Sequence, residues 1–173
     1  TAEKFAPVCI VMDKLDKIGA DAVKAELVDA QGLPAETAAK IVECLACKTV
    51  SDLEALCGEG ADQTGIDELK RLFELAEDYG YGDWLIFDAS VVRGLAYYTG
   101  IVFEGFDRAG ELRAICGGGR YDRLLSLYGA VTEVPACGFG FGDCVIVELL
   151  KDKGLLPELP KSIEFVVAAF NEG

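Results

Sequence analysis

"GIVFEGFDRAGELRAICGGGRYD", residues 100–122, decides the fold. Two runs, the β-branched and aromatic "GIVFEGFD" and the alternating "ELRAIC", flank "DRAG", a turn signal. This order predicts a hairpin. "YDRLLSLYG" then returns to a helical pattern, "PACGFGFG" is extended and glycine-rich, and "DCVIVELLKDKG" reads as a helix with Gly154 just past its end. Hairpin, glycine-rich strand and helix in succession make an antiparallel β-sheet with helices, α+β in class, and not a parallel βαβ series.

Upstream the chain changes character. Residues 1–82 are rich in alanine, leucine, lysine and glutamate at helical spacing. "LPAETAAKIVECLAC" places Pro34 at a first turn, and "SDLEALCG" offers Ser51 as N-cap with Glu54 completing a capping box. "IDELKRLFELAEDYG" carries Leu69, Leu72, Phe73 and Ala76 on one face and ends at Gly80. A small helical subdomain is expected here. "WLIFDASVV", residues 84–92, reads as a buried strand closed by Arg93. "LPELPKS" reads as a linker, and "IEFVVAAF", 163–170, as a further strand.

Charge narrows the function classes. The net charge is −14, with −11 in residues 1–90 and −3 in residues 91–173. Such a balance argues against nonspecific nucleic-acid binding through a basic surface. Five of the six arginines nevertheless lie between 93 and 123, and arginine suits planar capture of carboxylate or phosphate. For Arg108 and Arg113, which flank the turn, pairing with surface acids is the plain reading. The seven cysteines are odd in number and irregular in spacing, which fits reduced thiols. The lone CxxC, Cys44 to Cys47, falls in a helical pattern and reads as a buried helix face. The chain has no histidine, so neither a zinc site of the usual kind nor a Ser-His or Cys-His pair is expected from it. No leader-type segment and no bilayer-spanning apolar run is evident, so a soluble chain without a membrane partner is expected.

Two stretches carry chemistry. In "ICGGGRYD", Gly117 to Gly119 remove every Cβ, so backbone can approach a ligand closely. A helix starting near Tyr121 would aim its first amides at an anion there. In "GFGFGD", Gly138, Gly140 and Gly142 alternate with Phe139 and Phe141. If the stretch is a strand, the phenylalanines share one face and the other is flat enough for an adenine. The alternative is a strand lying close under a helix.

These residues match a family. "VVRGLAYYTGIVFEGF" followed by "ICGGGRYD" resembles the two signature motifs of the histidyl-tRNA synthetases, which are class II aminoacyl-tRNA synthetases. "ACGFGFGD" and its following helix are similar to class II motif 3. The resemblance covers about residues 83–155. It implies a helical insertion over 1–82, the C-terminal part of a catalytic domain over 83–156, and a linker with the start of an anticodon-binding domain over 157–173.

The resemblance also implies a reaction: ATP, with Mg2+, activates histidine to histidyl-adenylate, and the histidyl group passes to the 3′ end of its tRNA. Arg93 matches the arginine that contacts the α-phosphate and the histidine carboxylate. Tyr97, Tyr98 and Tyr121 match the histidine pocket, with Gly117 and Gly118 leaving room for substrate. Gly138, Gly140 and Gly142 fall on the nucleotide side. Glu104 is placed to orient Arg93 or Tyr98. Ala96 stands where many members have aspartate. Val145 stands where motif 3 usually carries an arginine, and Arg123 is the substitute that charge alone suggests. Motif 1 and motif 2 have no counterpart, so the segment by itself is expected to be inactive. The resemblance further implies a homodimer binding histidine, ATP and tRNA(His), in the cytoplasm or an organelle. The competing readings are a non-catalytic regulatory subunit of histidine biosynthesis, a tRNA-sensing domain and a generic nucleotide-binding module.

Overall fold

The structure, a computed structural model, describes residues 2–58, 63–93, 97–158, 160 and 163–168. Six helices come first: α1 (Ala2–Met12), α2 (Leu15–Ile18), α3 (Ala20–Asp29), α4 (Ala35–Leu45), α5 (Val50–Cys57) and α6 (Thr64–Asp78). Their core is small and apolar. Val23 and Leu27, four apart on α3, are fully buried against Val11 of α1 and Ala38 of α4. Gly32, at φ +61°, turns the chain between α3 and α4, a conformation that glycine adopts without steric cost.

The cap of α5 lies two residues earlier than predicted. Thr49, not Ser51, is the N-cap, and its hydroxyl accepts from the Asp52 amide at 3.0 Å. Both are good capping residues, and Thr49 is the one in extended backbone just before the helix. Cys47 is buried just beyond α4, and burial, then the nearby Cys57 and Cys47 thiols, pushes the Cys44 thiol above its usual range. Gly80 closes α6 at φ +77°, as its position predicts. Among the described residues no helix is long and apolar enough to cross a membrane.

The second half is a three-stranded antiparallel sheet in the order β1 (Val102–Gly105), β2 (Cys116–Arg120), β3 (Cys137–Phe141). Helix α7 (Asp143–Asp152) follows, and Gly154 ends it at φ +66°. The α+β class therefore stands. Several details differ from expectation. Residues 84–92 form no regular strand: the Ser90 amide and hydroxyl both donate to the Asp88 carboxylate, at 2.9 and 2.6 Å. That local turn interrupts the apolar run, and neither edge strand pairs with it. "ELRAIC" is not a strand either, because β1 ends at Gly105 and leaves residues 111–114 nothing to pair with. Pairing begins at Cys116, and the triple glycine is itself the strand. Residues 163–168 form no strand and are exposed, and residues 169 and 170 lie outside the described residues. The helix expected near Tyr121 is a 3₁₀ turn over Leu124–Tyr128.

Register positions the site. Gly117 faces Glu104 on one side and Gly140 on the other, while Gly119 faces Val102 and Gly138. Residues directly opposite share a sheet face. One face therefore carries Val102, Glu104 and four glycines. The other carries Phe103 and Phe139, with their ring centroids 6.2 Å apart.

Candidate functional site

The glycine face is the floor of a cavity of about 760 Å³. Its glycines are required by what lies on them. A Cβ at Gly117 would collide with Nη1 of Arg93. One at Gly119 would stand 3.0 Å from Cδ1 of Tyr98 and 2.6 Å from the Ile101 carbonyl. One at Gly138 would meet the Tyr121 phenol oxygen. Thus a cation and two phenols of the chain itself lie flush on bare backbone. Gly140 has open space above it, with no described atom within 4 Å of where its Cβ would stand. Gly118 points the other way, towards Phe139, and does not line the cavity.

Arg93 leaves the irregular segment rather than closing a strand. Its Nη1 donates to Oε1 of Glu104 at 2.5 Å, and both side chains are largely buried. Glu104 is thus the residue that orients Arg93. The Arg93 Nε is buried without a hydrogen-bond partner among the described residues. A buried donor of this kind costs about 1–3 kcal/mol while unsatisfied, so it favours an incoming acceptor.

The three phenols form one aromatic wall. Ring centroids are 4.6 Å apart for Tyr97–Tyr98, 5.7 Å for Tyr97–Tyr121 and 6.2 Å for Tyr98–Tyr121. The hydrogen bond to Tyr98, then burial, raises the Tyr97 phenol above its usual range. Tyr97 is therefore a neutral donor or acceptor near neutrality. Ala96 lies outside the described residues.

One contributor escaped the sequence reading. The Asp122 carboxylate accepts from Arg120 Nε at 2.9 and 3.1 Å and from the Ala136 amide at 3.2 Å. Its own amide donates to Thr99 Oγ1 at 3.0 Å. Asp122 thereby ties together the segments that carry Tyr98, Tyr121 and Gly138. The signal was present as a short acid where β2 leaves the sheet, a habitual place for side-chain to backbone bonds. Arg113 and Val145 also line the cavity, whereas Arg123 is exposed and pairs with Glu133 at 2.8 Å. Arg108 donates to the Asp83 carbonyl and lies over Trp84, so among the described residues neither it nor Arg113 has the expected acidic partner. Among the described residues no group of three or more Cys, Asp or Glu could hold a metal ion.

Comparison with known proteins finds similar chains. The family model described as histidyl-tRNA synthetase matches residues 61–142. The chain is 58% identical over 168 residues to the chloroplastic/mitochondrial histidine–tRNA ligase of Arabidopsis thaliana, covering 97% of this chain and 34% of that protein. It is 37% identical over 155 residues to the histidine–tRNA ligase of Thermoplasma volcanium, covering 88% of this chain and 36% of that protein. The crystal structure of histidyl-tRNA synthetase from Nostoc sp. PCC 7120 superposes with a TM-score of 0.74 at 28% identity, over 92% of this chain and 39% of that one. The chain therefore spans about a third of the length of the relatives it matches, and over that part it is similar to histidyl-tRNA synthetases.

Proposed function

We propose that this chain supplies the part of a histidine–tRNA ligase that binds the histidine carboxylate, the imidazole and the α-phosphate during formation of histidyl-adenylate. The observation that supports this reading is the placement of Arg93. Its guanidinium lies on Gly117, is steered by Glu104 and adjoins three phenols. In the reaction a histidine carboxylate oxygen attacks the α-phosphorus and pyrophosphate leaves. Negative charge grows on the phosphoryl oxygens, and a guanidinium fixed beforehand stabilises that charge more than it stabilises the reactants. The Arg93 Nε, buried and without a partner among the described residues, adds an unmet donor to that guanidinium. The phenols meet the imidazole by hydrogen bonding and by edge or face packing. Magnesium accompanies ATP as the counter-ion of its phosphates.

On this reading histidine, ATP and tRNA(His) are substrates of the whole protein, which assembles as a homodimer. The chain alone does not complete the reaction, in keeping with its spanning a third of its relatives. The test is to replace the matched segment of the Arabidopsis organellar relative with this chain. Histidine-dependent ATP–pyrophosphate exchange by the graft, and none by the isolated chain, is the expected result. A graft without exchange, or turnover by the isolated chain, contradicts the reading.

A further inference from the structure

Two cations line the cavity, and they are not equivalent. Arg93 is matched by Glu104, the one carboxylate that the described residues bring to the lining. Arg113 has no acidic or hydrogen-bond partner among the described residues. It is exposed at the cavity, and of the arginines without an ion pair among the described residues, Arg108 and Arg113, it is the one that lines the cavity. Arg71, Arg120 and Arg123 all form ion pairs. An uncompensated guanidinium in a concave site is a receptor for an anion.

Its place in the fold narrows the anion. Arg113 precedes Cys116, which opens β2 and pairs with Phe141 at the end of β3. Tyr121 follows Arg120 at the opposite end of β2. The lining therefore follows β2, with Tyr98 at Gly119, Tyr121 at Gly138 and Arg93 over Gly117, and Arg113, which also lines the cavity, precedes the opposite end of the strand in the chain. The first turn of α7 borders this last end through Gly142 and Val145. Its positive dipole end adds to the same sign of field. The Asp143 carboxylate is engaged by the Cys144 amide at 2.8 Å and is absent from the cavity lining. Val145 is apolar, so among the described residues no other cation serves this end.

We propose that Arg113 holds the β- and γ-phosphates of the nucleotide. The order along the cavity then runs amino-acid side chain, α-phosphate, polyphosphate, with a planar fork able to grip two oxygens at the far end. Arg113 thus does what the apolar Val145 cannot, and Arg123, paired with Glu133 outside the cavity, takes no part. This inference rests on the nucleotide reading above, but its test needs neither histidine nor turnover.

The isolated 15N-labelled chain is titrated with inorganic tripolyphosphate and, separately, with ATP. Saturable amide shifts are expected at 114–116 and 140–145 with both probes. Arg113→Gln should weaken both by at least tenfold, and Arg113→Lys should fall between, because a point charge replaces the fork. No saturable shift in the unaltered chain overturns the proposal, as does an Arg113→Gln affinity within twofold of the unaltered one. Since the graft assay reads histidine-dependent turnover and this one reads phosphate binding, failure of either is recognisable apart from the other.

Discussion

Tyr97 shows how one side chain is tuned by its neighbour. The hydrogen bond to Tyr98 favours the neutral phenol of Tyr97, so its proton is held above the ordinary tyrosine range. The sign follows directly. The folded state binds this proton more tightly than the unfolded chain, so the stabilisation is complete below about pH 10 and is lost as pH rises through the elevated value. Ultraviolet titration of the six tyrosines should show a late-ionising fraction that Tyr97→Phe removes. Uniform ionisation near the ordinary value speaks against the phenol pair. At this scale much was legible. Arg93 and the tyrosines could be singled out because cations and phenols are out of place beside apolar runs. Asp122 and Arg113 could not, because an acid or arginine near a turn is ordinary, and only the fold shows that one ties three segments together and the other enters the cavity.

Among the elements, β2 carries the most information and was the hardest to read. A strand of three glycines has no side-chain alternation to betray it. Its neighbours specify it instead: "GIVFEG" and "CGFGF" supply the pattern, and β2 fills the space between them. Conversely, residues 84–92 have strand composition but no strand, because Asp88 and Ser90 close a turn there and no edge pairs with them. Composition reports what a segment would do on a sheet, whereas pairing decides whether it joins one.

The glycines of the sheet differ in what they protect. A Cβ at Gly118 would stand 2.6 Å from the Phe139 Cα, which is backbone and cannot swing aside. Gly118→Ala should therefore destabilise the chain by about 1–3 kcal/mol, as overpacking does, measured as a lowered urea midpoint. Gly140→Ala meets no described atom within 4 Å. It should leave the midpoint unchanged while narrowing the cavity. Equal midpoints for the two variants contradict this assignment of faces.

Across the whole molecule, two structural units share one chain unequally. The helical part owns the deepest core, at Val23 and Leu27, and most of the negative charge. The sheet owns the cavity, and among the described residues none before Arg93 lines it. An ion pair between Glu68 of α6 and Arg120 of β2, at 3.6 Å, links the two. Being partly exposed and 3.6 Å long, it contributes about 1 kcal/mol or less and weakens with salt. Leu27→Ala should thus cost about 2–5 kcal/mol in the helical core, yet leave the amide signals of Gly117 to Gly119 in place by NMR. Loss of those signals contradicts such separation. Helical periodicity made the first part legible from sequence, since each amphipathic face follows local rules. The site was legible mainly through its motifs, because its geometry depends on register between strands far apart in the chain.

The proposed chemistry depends most on Arg93. In the graft described above, Arg93→Ala should lower kcat/KM for histidine-dependent pyrophosphate exchange by about 10²–10³, the loss typical when one preorganised charge-stabilising donor is removed. An Arg93→Ala graft that exchanges at the unaltered rate contradicts it.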